Sequence, residues 1–247
     1  MLRYQKLGRL AVILVTVAGL VGCGVRSISN SGFNADSDRG YAQRNSPFYK
    51  GELNELEILG IDSKTAISEE DIQKALATKS RMTIQKGSSI MLIQSGAMIP
   101  DEDMVTGMEK YYNVSVFTGV PAEGSGTSGN YSRALRLAAA KGGAEKLIVY
   151  WGILETGRED LATKAISWFP FIGGAITDET QRMRIRMKVA VVDVKSGQWD
   201  MFSPEPADDT GSSGRYSRVS SDQAQVALLK GKAYKATADD VVKRYSK

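Results

Sequence analysis

Residues 147–154 read Leu-Ile-Val-Tyr-Trp-Gly-Ile-Leu, a charge-free run bounded by Glu145-Lys146 on one side and Glu155 on the other. A run this short and this rich in β-branched and aromatic side chains predicts a strand buried on both faces. Working towards the N-terminus, residues 131–141 form an Ala/Leu/Arg helix stopped by Gly142-Gly143, and residues 114–120 form a further strand. Before that strand, Pro100-Asp101-Glu102-Asp103 opens a helix with Met104, Met108 and Tyr111 or Tyr112 on its inner face. Residues 89–95 (SIMLIQS) form one more buried strand. Strand–helix–strand–helix–strand within about 70 residues is the alternation of an α/β domain. The expected architecture is a single, three-layer-like domain with a mixed sheet flanked by helices.

Towards the C-terminus, residues 182–194 predict the longest strand. Arg182, Arg184, Arg186 and Lys188 share one face, and Met183, Ile185, Met187 and Val189 share the other. Past Ala190 both faces turn apolar, so the strand runs from an exposed end into the core. Lys195-Ser196-Gly197-Gln198 predicts a tight turn and Trp199–Phe202 the returning strand. Pro204–Ser220 reads as a polar loop, and Ser221 as the cap of a helix reaching Tyr245 and weakened at Gly231. Residues 161–177 (LATKAISWFPFIGGAIT) are apolar, interrupted by Pro170 and Gly173-Gly174, and lack a clean period. On the other side of the core, Phe48–Gly60 predicts a short helix or an ordered lead-in. Ser68 and Asp71 then form a capping box, with Ile67 and Ile72 placed as a hydrophobic staple.

The first residues carry an address. Arg3, Lys6 and Arg9 precede a 13-residue charge-free run from Leu10 to Gly22, too short for a transmembrane helix, which needs about 20 residues. Cys23 follows the small Gly22, and Leu20-Val21-Gly22-Cys23 resembles the lipobox of bacterial lipoproteins. That resemblance implies cleavage after Gly22 and a lipid on Cys23. Because Gly24 and not Asp follows the cysteine, it also implies sorting to the outer membrane. The expected division is a signal peptide over residues 1–22, a lipidated cysteine with a flexible tether over 23–47, and a periplasmic domain over 48–247. Residues 24–47 are Ser-, Asn-, Gly- and Asp-rich and bury too little apolar surface to offset ordering entropy.

Composition narrows the chemistry. Three of the 32 basic residues leave with the signal, so 29 face 28 acidic ones in the mature chain, and a nucleic-acid partner is not expected. The chain has no histidine, which excludes histidine-based triads and Cys/His zinc sites. Cys23 is the only cysteine and lipidation consumes it. No S-x-x-K motif supplies a Ser-Lys nucleophile. Gly124–Gly129 matches G-x-G-x-x-G, but Pro121-Ala122-Glu123 separates it from the preceding strand, where a dinucleotide site needs a tight turn. Asp101-Glu102-Asp103 reads as dipole-favoured helix-start acids rather than a metal site. No cofactor beyond the covalent lipid and no enzymatic activity are expected.

Two surfaces remain as candidates for recognition. The ladder Arg182/Arg184/Arg186/Lys188 could meet an anionic partner or be a solvated strand face that blocks edge pairing. Trp168 and Phe171 could contact a partner or membrane, or pack over the sheet.

Residues 138–152 (AAAKGGAEKLIVYWG), the Gly-rich connection to Thr180, and residues 187–197 (MKVAVVDVKSG) together resemble two kinds of envelope lipoprotein. These are the curli-secretion channel lipoproteins and the lipoprotein activators of penicillin-binding proteins. The resemblance implies their shared α/β fold over roughly residues 88–200 and an anchored domain that binds another envelope component, either a protein or an anionic envelope polymer. A subunit of an oligomeric secretion pore is the alternative, although the 156–181 connection lacks two clean alternating runs of about ten residues. A periplasmic enzyme is the second alternative.

Overall fold

The computed structural model describes residues 24–31, 48–62, 65–78, 81–121, 130–160, 179–213 and 218–246. Two 15-residue strands form its spine, β4 (Lys146–Asp160) and β5 (Glu179–Asp193), paired antiparallel along their whole length from Lys146↔Asp193 to Asp160↔Glu179. Each spine strand shares its outer side between two shorter strands. On β4, the lower part, residues 146–150, pairs in parallel with β2 (Ser89–Gln94), and residues 153–156 pair antiparallel with β1 (Gly24–Ser27). On β5, residues 189–192 pair with β6 (Trp199–Phe202) and residues 179–185 with β7 (Ala207–Ser213). Outside β2, β3 (Asn113–Phe117) adds a parallel edge, giving the order β3-β2-β4-β5-β6.

Helices cover both faces of the lower half. Even-numbered β2 and β4 residues, with odd-numbered β5 residues, point to one side. There Ile90, Leu92, Ile148, Tyr150, Val189 and Val191 pack against α3 (Glu102–Glu109) and α5 (Arg218–Tyr245). On the other side Met91, Ile93, Leu147, Val149, Ala190 and Val192 meet Leu53, α1 (Glu55–Leu59) and α4 (Tyr131–Lys141). α2 (Glu69–Thr78) buries no residue. The expected α/β domain, with a mixed sheet flanked by helices, is what the chain forms. Among the described residues no helix is long and apolar enough to cross a membrane.

Several local expectations are met at the atomic level. Ser68 and Asp71 exchange the reciprocal capping-box bonds, Asp71 N–H to Ser68 Oγ at 3.2 Å and Ser68 N–H to Asp71 Oδ2 at 3.1 Å. Ile67 and Ile72, the two staple positions, are both exposed. Gly143 ends α4 with a positive φ of 77°, and Gly197 gives the β5–β6 turn a φ of 76°.

Four readings require correction. Residues 24–31, assigned to the tether of 23–47, are part of the folded unit: β1 pairs with β4, and Ile28, in the 3-10 turn Ile28–Asn30, is only 1% exposed. Composition averaged over 24 residues concealed one buried isoleucine and a strand stabilised by main-chain hydrogen bonds. Residues 204–220 are not one loop, because Ala207–Ser213 forms β7 with few apolar side chains, the polar character suited to an edge. α5 begins at Arg218 rather than Ser221 and runs unbroken through Gly231. Its burial against α3 outweighs the cost of about 1 kcal/mol for a mid-helix glycine. Finally, β4 extends six residues past Leu154 and β5 begins three before Arg182.

Val191 and Val192 are buried in the central strand, so Val191→Ala should cost about 1–3 kcal/mol in a denaturant melt through lost burial and a residual cavity. A change near zero would contradict the central placement of β5.

At the lower end of the spine Lys146 Nζ donates to Asp193 Oδ2 at 2.6 Å, and Ser196 donates to Asp193 Oδ1 through N–H and hydroxyl, both at 2.7 Å. Burial pushes the Asp193 carboxyl up, but these hydrogen bonds and the Lys146 charge outweigh it and bring the pKa from 3.8 to about 2. A lowered folded-state pKa stabilises above the unfolded value and the gain is lost on acidification. Stability should therefore fall by roughly 1–2 kcal/mol, after allowance for solvent screening, as pH drops from about 4 to about 2. Asp193→Asn should flatten that part of the pH–stability curve in urea melts.

Candidate functional site: the upper end of the sheet

Chain order makes a switch point between β2 and β4. The crossover after β2 runs through α3 on one face, and that after β3 runs through α4 on the other. Open α/β sheets hold their ligands in the crevice beyond the strand carboxyl ends at such a point. Here that position is occupied by the chain itself. Ser29 Oγ donates to the Ser95 carbonyl at 2.6 Å, and the Leu53 N–H donates to Ser95 Oγ at 2.8 Å. Trp151 Nε1 donates to the Leu53 carbonyl at 3.0 Å. Glycines permit the close approach. A Cβ on Gly152 would lie 2.5 Å from Ile28 Cδ1, and one on Gly119 would lie 1.8 Å from the Gln94 carbonyl oxygen.

A buried polar chain runs beneath this plug. Gln94 Nε2 donates to Ser29 Oγ at 3.0 Å, while Gln94 Oε1 accepts from Tyr150 OH and from the Asp101 N–H, both at 2.7 Å. The Asp101 carboxylate accepts from Tyr234 OH and pairs with Lys230 at 2.9 Å. Tyr150 and Tyr234 stand edge to face with centroids 5.9 Å apart. Burial pushes both hydroxyls well above the ordinary phenol range, and the Asp101 charge adds to it, so both act as donors. This network ties β1's continuation to β2, β4, α3 and α5. Sequence reading missed it, although Asp101 was legible as a helix start.

The ladder lies where its alternation placed it. Arg182, Arg184 and Arg186 are exposed, on the half of the sheet above α1, and Lys188 sits at the boundary. Its cations meet carboxylates of neighbouring elements: Arg184 pairs with Asp208 of β7, Arg186 with Glu155 of β4, and Lys188 with Glu55 of α1 at 2.6 Å. The ladder is therefore a row of ion pairs joining neighbouring elements. Trp168 and Phe171, the Gly124–Gly129 motif, and Leu20, Val21, Gly22 and Cys23 lie outside the described residues.

The position of Gly24 limits where a group on the preceding residue can reach. Gly24 pairs with Thr156, six residues beyond the level at which β2 ends against Tyr150. The peptide bond to Cys23 therefore leaves from the upper end of the sheet, about 20 Å past the end of β2.

Ile28→Ala should destabilise the domain by about 2–4 kcal/mol, as for a buried core isoleucine. It should also speed amide exchange at residues 153–156. Unchanged stability and exchange would mean that residues 24–31 are dispensable to the fold.

No curated protein sequence matches the chain. Solved structures similar to it include two distant ones. A dodecamer of a PelC point variant from Paraburkholderia phytofirmans is 13% identical, covering 64% of this chain and 93% of that one with a TM-score of 0.30. A putative neuraminyllactose-binding hemagglutinin homolog from Helicobacter pylori is 12% identical, covering 68% and 91% with a TM-score of 0.32. The profile of the YafT bacterial lipoproteins matches residues 54–244, from the N-cap of α1 to the last turn of α5. The matched span holds most of both cores, and the chain belongs to the YafT bacterial lipoprotein family.

Proposed function

We propose that this protein is a non-enzymatic accessory lipoprotein, anchored through acyl chains on Cys23 to the periplasmic face of the outer membrane, whose α/β domain binds another envelope component. Family membership and the Leu20-Val21-Gly22-Cys23 motif support the anchor, and Gly24 after the cysteine supports outer-membrane sorting. The observation that carries the reading is the β1–β4 register. It leaves no slack between the lipidated residue and the folded domain, so the domain works at the membrane surface. The chain's own residues 27–29 and 49–53 fill the crevice where a small-molecule site would form, which favours recognition by an outer surface.

Of the two partner types, an envelope protein fits better than an anionic polymer. Arg184, Arg186 and Lys188 already face carboxylates, so the ladder presents alternating charge rather than a cationic stripe.

Cys23→Ser should abolish incorporation of labelled palmitate and move the protein out of the outer-membrane fraction. Several acyl chains on one residue make a sole anchor sufficient, where one chain gives only marginal binding. Wild-type fractionation of the mutant with outer membrane would refute lipidation as the anchor.

A further inference from the structure

α2 is a helix without a core: every residue from Glu69 to Thr78 is exposed. It is not polar all round, however. Ile72 and Leu76, four residues apart and so on one face, are 43% and 62% exposed. Ala75 and Glu69 lie beside them on that face, and Glu69, Glu70 and Asp71 fill the first turn. A helix shorter than about 12–15 residues is marginal in water by itself, and what normally stabilises one is burial of its amphipathic face. The capping box holds one end of α2, and a hydrogen bond from Gln198 Nε2 to the Thr78 carbonyl holds the other. Neither covers the apolar face.

The outer face of α4 is its complement. Ser132, Leu135 and Ala139 turn inwards and are buried. On the opposite face Leu137 is 58% exposed, with Arg133 one turn before it and Lys141 one turn after. Ala134 and Ala140, also exposed, add little bulk around it. A lone exposed leucine needs no explanation. This one is bracketed by two cations, where the apolar pair of α2 is headed by acids. Among the described residues Arg133 and Lys141 form no ion pair, in contrast to Arg184, Arg186 and Lys188. The lengths also agree: at 1.5 Å per residue, Arg133 to Lys141 spans about 12 Å and Glu69 to Leu76 about 10 Å.

We infer that α2 of one copy docks on α4 of a second copy. Ile72 and Leu76 pack around Leu137, and the acidic first turn of α2 meets the cations of α4. The contact is not made within one chain, because Leu137, Ile72 and Leu76 all remain in solvent. A second copy is the occupant because the chain itself carries both halves of the complement, in charge and in apolar character. Two short helices make a small contact. A two-fold dimer uses it twice, α2 of each protomer on α4 of the other, and is the expected form. The inference goes beyond the binding of another envelope component and does not depend on the lipid at Cys23.

The test uses the full-length protein in detergent. An Ile72→Cys chain and a differently tagged Leu137→Cys chain are mixed and oxidised. The expected product is a disulfide-linked pair carrying both tags, with far less cross-linking from either variant alone. Sedimentation gives a second readout. Glu69→Lys with Glu70→Lys, and separately Arg133→Glu with Lys141→Glu, should each weaken the dimer by about tenfold or more, and combining all four should restore it. Every substituted residue is exposed, so urea midpoints should not move. Should one move, the cysteine pair, which alters no charge, decides. A monomer at every concentration with no mixed cross-link overturns the inference. So does a dimer that charge reversal leaves unchanged, since another surface would then join the copies. Cross-linking of Ile72→Cys to itself as strongly as to Leu137→Cys overturns it as well.

Discussion

The whole structure depends on the antiparallel pairing of β4 and β5 over fifteen residues each. A pair this long is more than twice the usual strand length of about five or six residues, and no single partner covers its outer sides. β2 and β1 divide one side, β6 and β7 the other, and the sheet acquires two levels. In the lower level both faces are apolar and both are covered by helices. In the upper level one face keeps its apolar methionines and isoleucine under the N-terminal half of α5. The other face carries charge. The change along β5, from Arg-Met-Arg-Ile to Val-Ala-Val-Val, follows the edge of α1.

The same division explains why the N-terminal segment is structural. β1 takes the place above β2 that would otherwise leave main-chain groups of residues 153–156 unpaired, and such groups cost free energy when desolvated. Ser29 then completes Gln94, and Gln94 completes Tyr150 and the Asp101 backbone. Buried polar chains stabilise only when every member is satisfied, so this one couples the turn that follows β1 to helices on one face of the sheet.

Ion pairs along the ladder do a different job. Exposed pairs contribute little to stability, but they link β5 to β7, β4 and α1 and neutralise a row of cations that would repel one another. The β7 segment that pairs with β5 contains no large apolar residue, a composition suited to an edge strand.

Local patterns were readable without the fold. Strict alternation in residues 182–189 placed the ladder and its buried counterparts on opposite faces, and the Ser68/Asp71 box and the glycines after α4 marked helix ends. Each of these depends on residues within a few positions of one another. The α/β class followed from the same patterns taken in series. Three features were decided by tertiary structure alone: β1, β7 and the polar network under the plug. Strands such as Gly-Val-Arg-Ser and Ala-Asp-Asp-Thr-Gly-Ser-Ser exist because their main chains find the free sides of β4 and β5, and main-chain hydrogen bonding leaves no mark on side-chain sequence. The partners of Arg184 and Arg186 were hidden for a related reason. Asp208 and Glu155 are 24 and 31 residues away in sequence and are brought opposite only by register. Exposure of Leu76 and Leu137 was equally invisible, because an apolar residue reads the same in a chain whether the fold buries it or leaves it facing outwards.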